Sequence, residues 1–180
     1  MEASIIRLKP VNVEGWLVME LQNYLKNSFS VKVTIERDVS ISSLQAYYDE
    51  ERGQIRADLL LEDLSKYTQP ISLVIIDADA YVPRLNFIFG IAKPEWGGAV
   101  FLARLRPEYY DVPSDKELLL SRFIKESIHE LGHAFGLDHC RNVSCVMRFS
   151  NSIYEVDAKT HRFCVQCSRR LQIFHPGLLR

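Results

Sequence analysis

The chain has 180 residues, 47% of them apolar, and a formal net charge of −1, which suits one domain with a sizeable core. Its lysines and arginines form no dense cluster, which argues against nucleic acid or an anionic membrane surface as partners. No apolar run approaches the ~20 residues that span a bilayer, and the start MEASIIRLKP lacks a basic region followed by an apolar stretch, so the expectation is a soluble, cytoplasmic monomer without an inhibitory pro-segment.

Ser4 to Leu8 reads as a short strand, and Val13 to Lys26 as an amphipathic helix with Asn12 as N-cap and Trp16, Leu17, Leu21, Tyr24 and Leu25 facing inward. Val31, Val33 and Ile35 alternate with polar residues, a strand signature. Residues 40 to 53, with Tyr47, Tyr48 and the run Asp49-Glu50-Glu51-Arg52-Gly53, predict an exposed loop with solvated charges. Gln54 to Tyr67 predicts a second helix. Ser72 to Asp77, Asn86 to Ile91 and Ala99 to Arg104 predict strands, separated by Pro83 and by Pro94 to Gly98. Early alternation of strand and helix implies parallel pairing, and the tight spacing from 77 to 104 implies an antiparallel excursion. The expected class is α/β with a mixed twisted sheet. Asp77 and Asp79 read as turn or capping residues rather than a cation site.

After Pro113, Ser114-Asp115-Lys116-Glu117 forms a capping box that opens a proline-free helix running to Phe135. Leu118, Leu119, Phe123, Ile124, Ile128, Leu131 and Phe135 make it apolar over much of its circumference, as a helix crossing a core must be. Its end carries His129-Glu-Leu-Gly-His-Ala-Phe-Gly-Leu-Asp-His139. His129 and His133 are one turn apart on one face and are able to aim two nitrogens at one ion. Glu130 lies about 100° around the axis, within reach of a water but not itself a ligand. Gly136 lets the helix stop and the chain turn, bringing back His139 as third ligand. Three protein ligands leave the fourth tetrahedral position open, as a catalytic zinc requires. With this chain's own composition, those five positions coincide by chance in on the order of 10⁻⁵ of chains of this length.

All four cysteines follow: Cys140, Cys145, Cys164 and Cys167, as C-x₄-C and, eighteen residues on, C-x₂-C. This spacing favours a second zinc, closed by four thiolates. Two disulfides or free redox thiols are the alternatives, and a reducing compartment disfavours the disulfides. A closed site would staple a tail too short to bury much apolar surface. The expected division is therefore a catalytic segment, residues 1–139, and a four-cysteine segment, residues 140–180. His161 and His175 read as surface or local hydrogen-bonding residues, Trp16 and Trp96 as packing residues, and Ser127 has no base pattern near it. Met147 alone would read as core filler.

HExxHxxGxxH followed by Met147, eight residues past His139, resembles the metzincin clan, in which a methionine-containing turn lies beneath the zinc ligands. HExxHxxGxxHC-x₄-C-x-M followed by a distant CxxC more narrowly resembles the archaemetzincins, continuously from His129 to Cys167. Sixteen residues separate Met147 from Cys164, one fewer than is usual there, a difference that shifts a loop and spares the ligands. The resemblance implies a metzincin-like single domain, with the sheet packed on a central active-site helix and a small zinc-stapled C-terminal part. It also implies a zinc metallopeptidase acting on peptide or protein substrates, with Glu130 as general base and then acid. A substrate strand would add to the sheet edge near Asn86 to Ile91. The contrasting reading is a catalytically silent two-zinc binding or regulatory protein, against which the intact Glu130 argues.

Overall fold

The computed structural model describes residues 5–67 and 71–180. β1 (Ile5–Val11), α1 (Gly15–Ser28), β2 (Lys32–Ile35), β3 (Tyr48–Asp49), β4 (Gln54–Arg56), α2 (Ala57–Leu64), β5 (Ile71–Ile76), β6 (Ala80–Tyr81), β7 (Gly90–Lys93) and β8 (Gly97–Phe101) precede α3 (Lys116–Ala134), α4 (Ile153–Ala158) and α5 (Val165–Phe174). Five strands form the main sheet in the order β2-β1-β5-β8-β7, parallel except for β7, which runs antiparallel to β8. β3, β4 and β6 make a small second sheet.

The main sheet is buried on both faces because its central strands carry apolar residues at odd and even positions. Leu8, Leu73, Ile75 and Val100 join the core with Leu17 and Leu21 of α1 and Phe123 and Leu131 of α3. Val74, Ile76, Ala99 and Phe101 pack on Leu60 and Leu61 of α2. The first of these cores also takes in Val146, Met147, Val156 and Leu171, so the segment after His139 packs onto α3 as part of the same apolar unit.

Several elements differ from the sequence-based expectation. Ser4, the expected start of the first strand, lies outside the described residues, and the strand continues to Val11, which pairs with Ile76. Asn12 is therefore a turn rather than an N-cap: it adopts φ 57°, a conformation asparagine tolerates, and α1 begins only at Gly15. Within the expected loop 40–53, Ile41–Tyr47 forms a 3₁₀ helix. Of the charges after it, Glu50, Glu51 and Arg52 are exposed as expected, and Asp49 is half-buried. Asp49 accepts a hydrogen bond from the Tyr81 hydroxyl at 2.6 Å, and the Arg52 guanidinium lies 3.8 Å over the Tyr81 ring. Gln54–Arg56 is strand rather than helix, since Ile55 pairs with both Tyr48 and Ala80.

The strand expected at Asn86 to Ile91 starts only at Gly90. The Asn86 carbonyl accepts hydrogen bonds from Arg52 and Gln54, both at 3.0 Å, which ties residue 86 to the small sheet instead. Likewise the strand expected at Ala99 to Arg104 ends at Phe101. Asp79 grips Arg104 through two bonds of 2.8 and 2.9 Å, and Asp77 grips Arg106 through two of 3.1 and 2.9 Å. The two aspartates thus serve mainly as arginine acceptors, fixing the chain that leaves β8. The cap of α3 is Asp115, whose side chain accepts from the Leu118 N–H at 3.0 Å, one residue later than the expected Ser114.

Candidate metal centres and their cleft

α3 ends in the geometry that its sequence predicts. Gly136 has φ +92°. The Gly136 N–H donates to the His133 carbonyl and the Leu137 N–H to the Gly132 carbonyl, both at 2.9 Å, the paired bonds of a Schellman stop. The sharp turn returns His139 to the helix face. The ring nitrogens of His129, His133 and His139 lie within 4.8 Å of one another.

Hydrogen bonding fixes the tautomers of the two helical histidines. His129 Nδ1 is 2.8 Å from the Val146 carbonyl and His133 Nδ1 is 2.7 Å from the Leu137 carbonyl. A carbonyl can only accept, so each Nδ1 carries the proton and each Nε2 presents a lone pair. Those two Nε2 atoms face each other at 3.1 Å. Two lone pairs so placed repel unless a cation lies between them, and tetrahedral zinc with its usual bond lengths separates two nitrogens by about 3.3 Å. The donor set therefore fits zinc. Burial lowers the proton affinity of all three histidines, most strongly for His129, and the Lys159 ammonium lowers it further, as do neighbouring imidazoles for His129 and His139. Neutral imidazole is the form that binds metal.

Glu130 is 4% exposed and lines the same cleft. Burial, reinforced by the nearby Glu126 carboxylate, raises its pKa well above the ordinary glutamate range. Room for its side chain comes from two glycines on the sheet. A Cβ at Gly90 would lie 2.7 Å from Glu130 Cγ and Cδ, and one at Gly98 would lie 3.1 Å from Glu130 Cβ. The cleft holds about 560 Å³ and is walled by Val82, Phe87, Phe89 and Ile91 on the sheet side and by Leu137 and Phe149 opposite. The Phe149 ring packs 5.1 Å from that of His139.

Met147 is fully buried and lies beneath α3, where Gly132 leaves space for it: a Cβ on residue 132 would collide with the Met147 sulfur. Gly132→Ala is expected to destabilise the fold by about 1–3 kcal/mol through overpacking. A denaturant midpoint equal to that of the unsubstituted chain would show that Met147 swings away freely.

The four cysteines converge and none is bonded to another. Sγ of Cys140 is 3.8 Å from that of Cys164, and Sγ of Cys145 is 3.8 Å from that of Cys167. Tetrahedral zinc–thiolate bonds place two sulfurs about 3.8 Å apart, whereas a disulfide needs about 2.05 Å. Despite some burial, the Cys164 thiol is brought down to about 7 by hydrogen bonds, the Cys167 N–H foremost, while burial pushes Cys145 and Cys167 up. His161 bonds Ser121 at 3.1 Å and His175 bonds the Phe135 carbonyl at 3.0 Å, both local roles as expected.

The sequence reading missed Gly90 and Glu126 as residues of the cleft and Gly98 as a residue packed against Glu130. Glu126 carried a usable signal, since it stands three and four residues before His129 and Glu130 and so shares their helix face. The glycines carried none, because their role depends on which strands pair.

The chain is similar to known proteins over nearly its whole length. Residues 8–173 match peptidase family M54. The archaemetzincin of Pyrococcus abyssi is 39% identical over 178 residues, spanning 94% of this chain and 95% of the relative. The archaemetzincin crystal structure from Methanopyrus kandleri superposes with a TM-score of 0.80 at 33% identity, covering 97% of each chain. That from Archaeoglobus fulgidus, complexed with malonate, gives 0.79 at 32% identity over 92% of this chain and 99% of the other. A convergent histidine triad, four convergent thiols and near full-length similarity lead to one conclusion: the chain belongs to the archaemetzincins, peptidase family M54.

Proposed function

We propose that this chain hydrolyses peptide bonds with one zinc held by His129, His133 and His139, Glu130 serving as general base and acid. A second zinc, held by Cys140, Cys145, Cys164 and Cys167, staples residues 140–180 to the catalytic segment, residues 1–139, and Met147 forms the turn beneath the histidines. The observation that carries this reading is the pair of Nε2 lone pairs facing each other at 3.1 Å, with the Glu130 carboxylate in the same cleft.

A zinc ion bound there supplies Lewis-acid polarisation of the scissile carbonyl and lowers the pKa of water toward ~7. The rest is the work of the chain. His129 and His133 are held in their ligating tautomers by the carbonyls of Val146 and Leu137. Glu130 takes a proton from the attacking water and delivers it to the leaving amine. Its buried setting, which raises its proton affinity, suits the second of these roles. β7 is the last strand in the sheet order and its residues Gly90, Ile91 and Ala92 line the cleft, so an extended substrate is able to lie along it and hydrogen-bond to its edge. The apolar walls favour a substrate with a bulky apolar side chain beside the scissile bond.

Four unbonded thiols suit a reducing compartment, which supports a cytoplasmic location. No described helix is long and apolar enough to cross a membrane. We take the working unit to be a monomer.

Incubation of the zinc-loaded chain with a diverse peptide library is the direct test. Cleavage that a hydroxamate chelator blocks, with two zincs per chain by metal analysis, is expected. Two zincs with no cleavage across the library would instead favour a silent two-zinc protein.

A further inference from the structure

Glu126, His129, Glu130 and His133 stand at spacings of three, four and seven along α3, so all four share one face, and all four border the cleft. Glu126 is 3% exposed. Its Oε1 lies 2.8 Å from Nζ of Lys159, whose side chain has no exposed surface. Lys159 Nζ also donates to the Arg148 carbonyl at 3.2 Å. Arg148 sits between Met147, under the helix, and Phe149, against His139. One buried ammonium thus joins the face of α3 that carries two of the histidines to the segment that supports the third.

The lysine is itself held from behind. Arg122 and Asp157 form two bonds of 2.7 Å, and Lys125 donates to the carbonyls of Val156 and Asp157 at 3.1 and 3.0 Å. Burying Glu126 and Lys159 carries a desolvation cost that two apolar residues would avoid, so stability is a weak explanation for the pair. What it supplies over an apolar contact is a fixed anchor: charge attraction at low dielectric holds the carboxylate 2.8 Å from the ammonium, in an ion pair without hydrogen-bond alignment, while the same ammonium donates a hydrogen bond to the Arg148 carbonyl.

We infer that Lys159 and Glu126 are positioning residues for hydrolysis, a clamp that sets the helix-borne His129, Glu130 and His133 in register with the loop-borne His139 and the Phe149 wall. The inference rests on the site reading proposed above. Catalytic groups must hold their places within roughly half an ångström, and a misplacement of about 1 Å costs on the order of a hundredfold in rate.

The test compares Lys159→Met with the double variant Glu126→Met/Lys159→Met. The single variant leaves a carboxylate buried without its partner and is expected to lose stability; the double variant replaces the pair with an apolar one and is expected to regain the unsubstituted melting temperature. A purely structural pair would then give back full activity. A clamp would not: the double variant is expected to keep two zincs yet show kcat lower by at least about tenfold, with KM changed less than about threefold. It is also expected to release the histidine-held zinc to a chelator at least about tenfold faster, with the thiolate-held zinc unaffected. A stable double variant with unchanged kcat and unchanged zinc release overturns the inference. Should the unsubstituted chain cleave no peptide, the site reading fails, and zinc release alone decides the clamp, unchanged release overturning it.

Discussion

Glu130→Ala is expected to abolish peptide hydrolysis, lowering kcat by about 10³-fold or more, while both zincs remain bound. General acid–base groups contribute about 10²–10⁴-fold, and in the proposed mechanism this one residue serves the attack and the departure of the amine. The side chain is 4% exposed, and on its sheet side Gly90 and Gly98 approach its carbons closely, so any group it serves must come from the cleft. Its neighbour on the helix face, Glu126, is engaged by Lys159 at 2.8 Å, and the other carboxylate lining the cleft, Asp138, is exposed beside Arg170. Glu130→Gln refines the result: it keeps the volume but cannot accept a proton at physiological pH, and it should fail as completely as alanine. Steady-state kinetics beside metal analysis of the same samples checks both. Turnover within tenfold of the unsubstituted chain, or loss of zinc in parallel with activity, would remove Glu130 from the role of base.

How much of this was legible beforehand depended on the range of the interactions that decide each element. The histidine centre was legible because its geometry is local: a four-residue spacing on a helix, then a glycine stop, then a third histidine three residues on. The convergence of the cysteines was expected from spacing, although the distance from Cys145 to Cys164 is bridged by long-range contacts that spacing does not reveal: residues between them pack onto α3, and the Val146 and Thr160 N–H groups donate to the carbonyls of Arg162 and Ser144. The strand at Asn86 was misread for the opposite reason. Its apolar run Phe87-Ile88-Phe89 fits a strand, yet Arg52 and Gln54, over thirty positions away, capture the Asn86 carbonyl. The cleft wall is consequently a tethered loop, with the strand edge beginning four residues later at Gly90.

A similar long-range effect hid the polar side of α3. The pattern of Leu119, Phe123, Ile128 and Leu131 correctly marked a core helix, but Arg122, Lys125 and Glu126 are buried as well. Sequence periodicity assigns charged residues to solvent unless partners are known. Apart from the Leu105 carbonyl, which accepts from Arg122, their partners here, Asp157, the carbonyls of Val156 and Asp157, and Lys159, come from the end of α4 and the residue after it. The seam that holds the cysteine-bearing segment to the catalytic helix is therefore ionic as well as apolar.

That seam bears on Cys167→Ser, for which the expected result is one zinc fewer per chain and a melting temperature lower by about 10 °C or more. Cys167 is 5% exposed and sits in the first turns of α5, with its sulfur 3.8 Å from that of Cys145. A structural zinc contributes on the order of 10 kcal/mol of apparent binding free energy to the segment that it closes. Apolar and ionic contacts to α3 survive its loss, so the deficit should be a fraction of this, about 3–5 kcal/mol, which for a chain of this length corresponds to the stated shift. The damage should also reach the cleft. Cys140 follows His139 directly, and its N–H donates to the Met147 carbonyl at 2.9 Å, so loosening the thiolate centre loosens the third histidine and the turn beneath it. Calorimetry with metal analysis measures the first effect, and hydroxamate affinity by titration measures the second, expected to weaken about tenfold. Two zincs retained with an unchanged melting temperature would show that Cys167 is no ligand. A lost zinc with unchanged hydroxamate affinity would show that the two centres are independent in spite of the peptide bond joining their ligands.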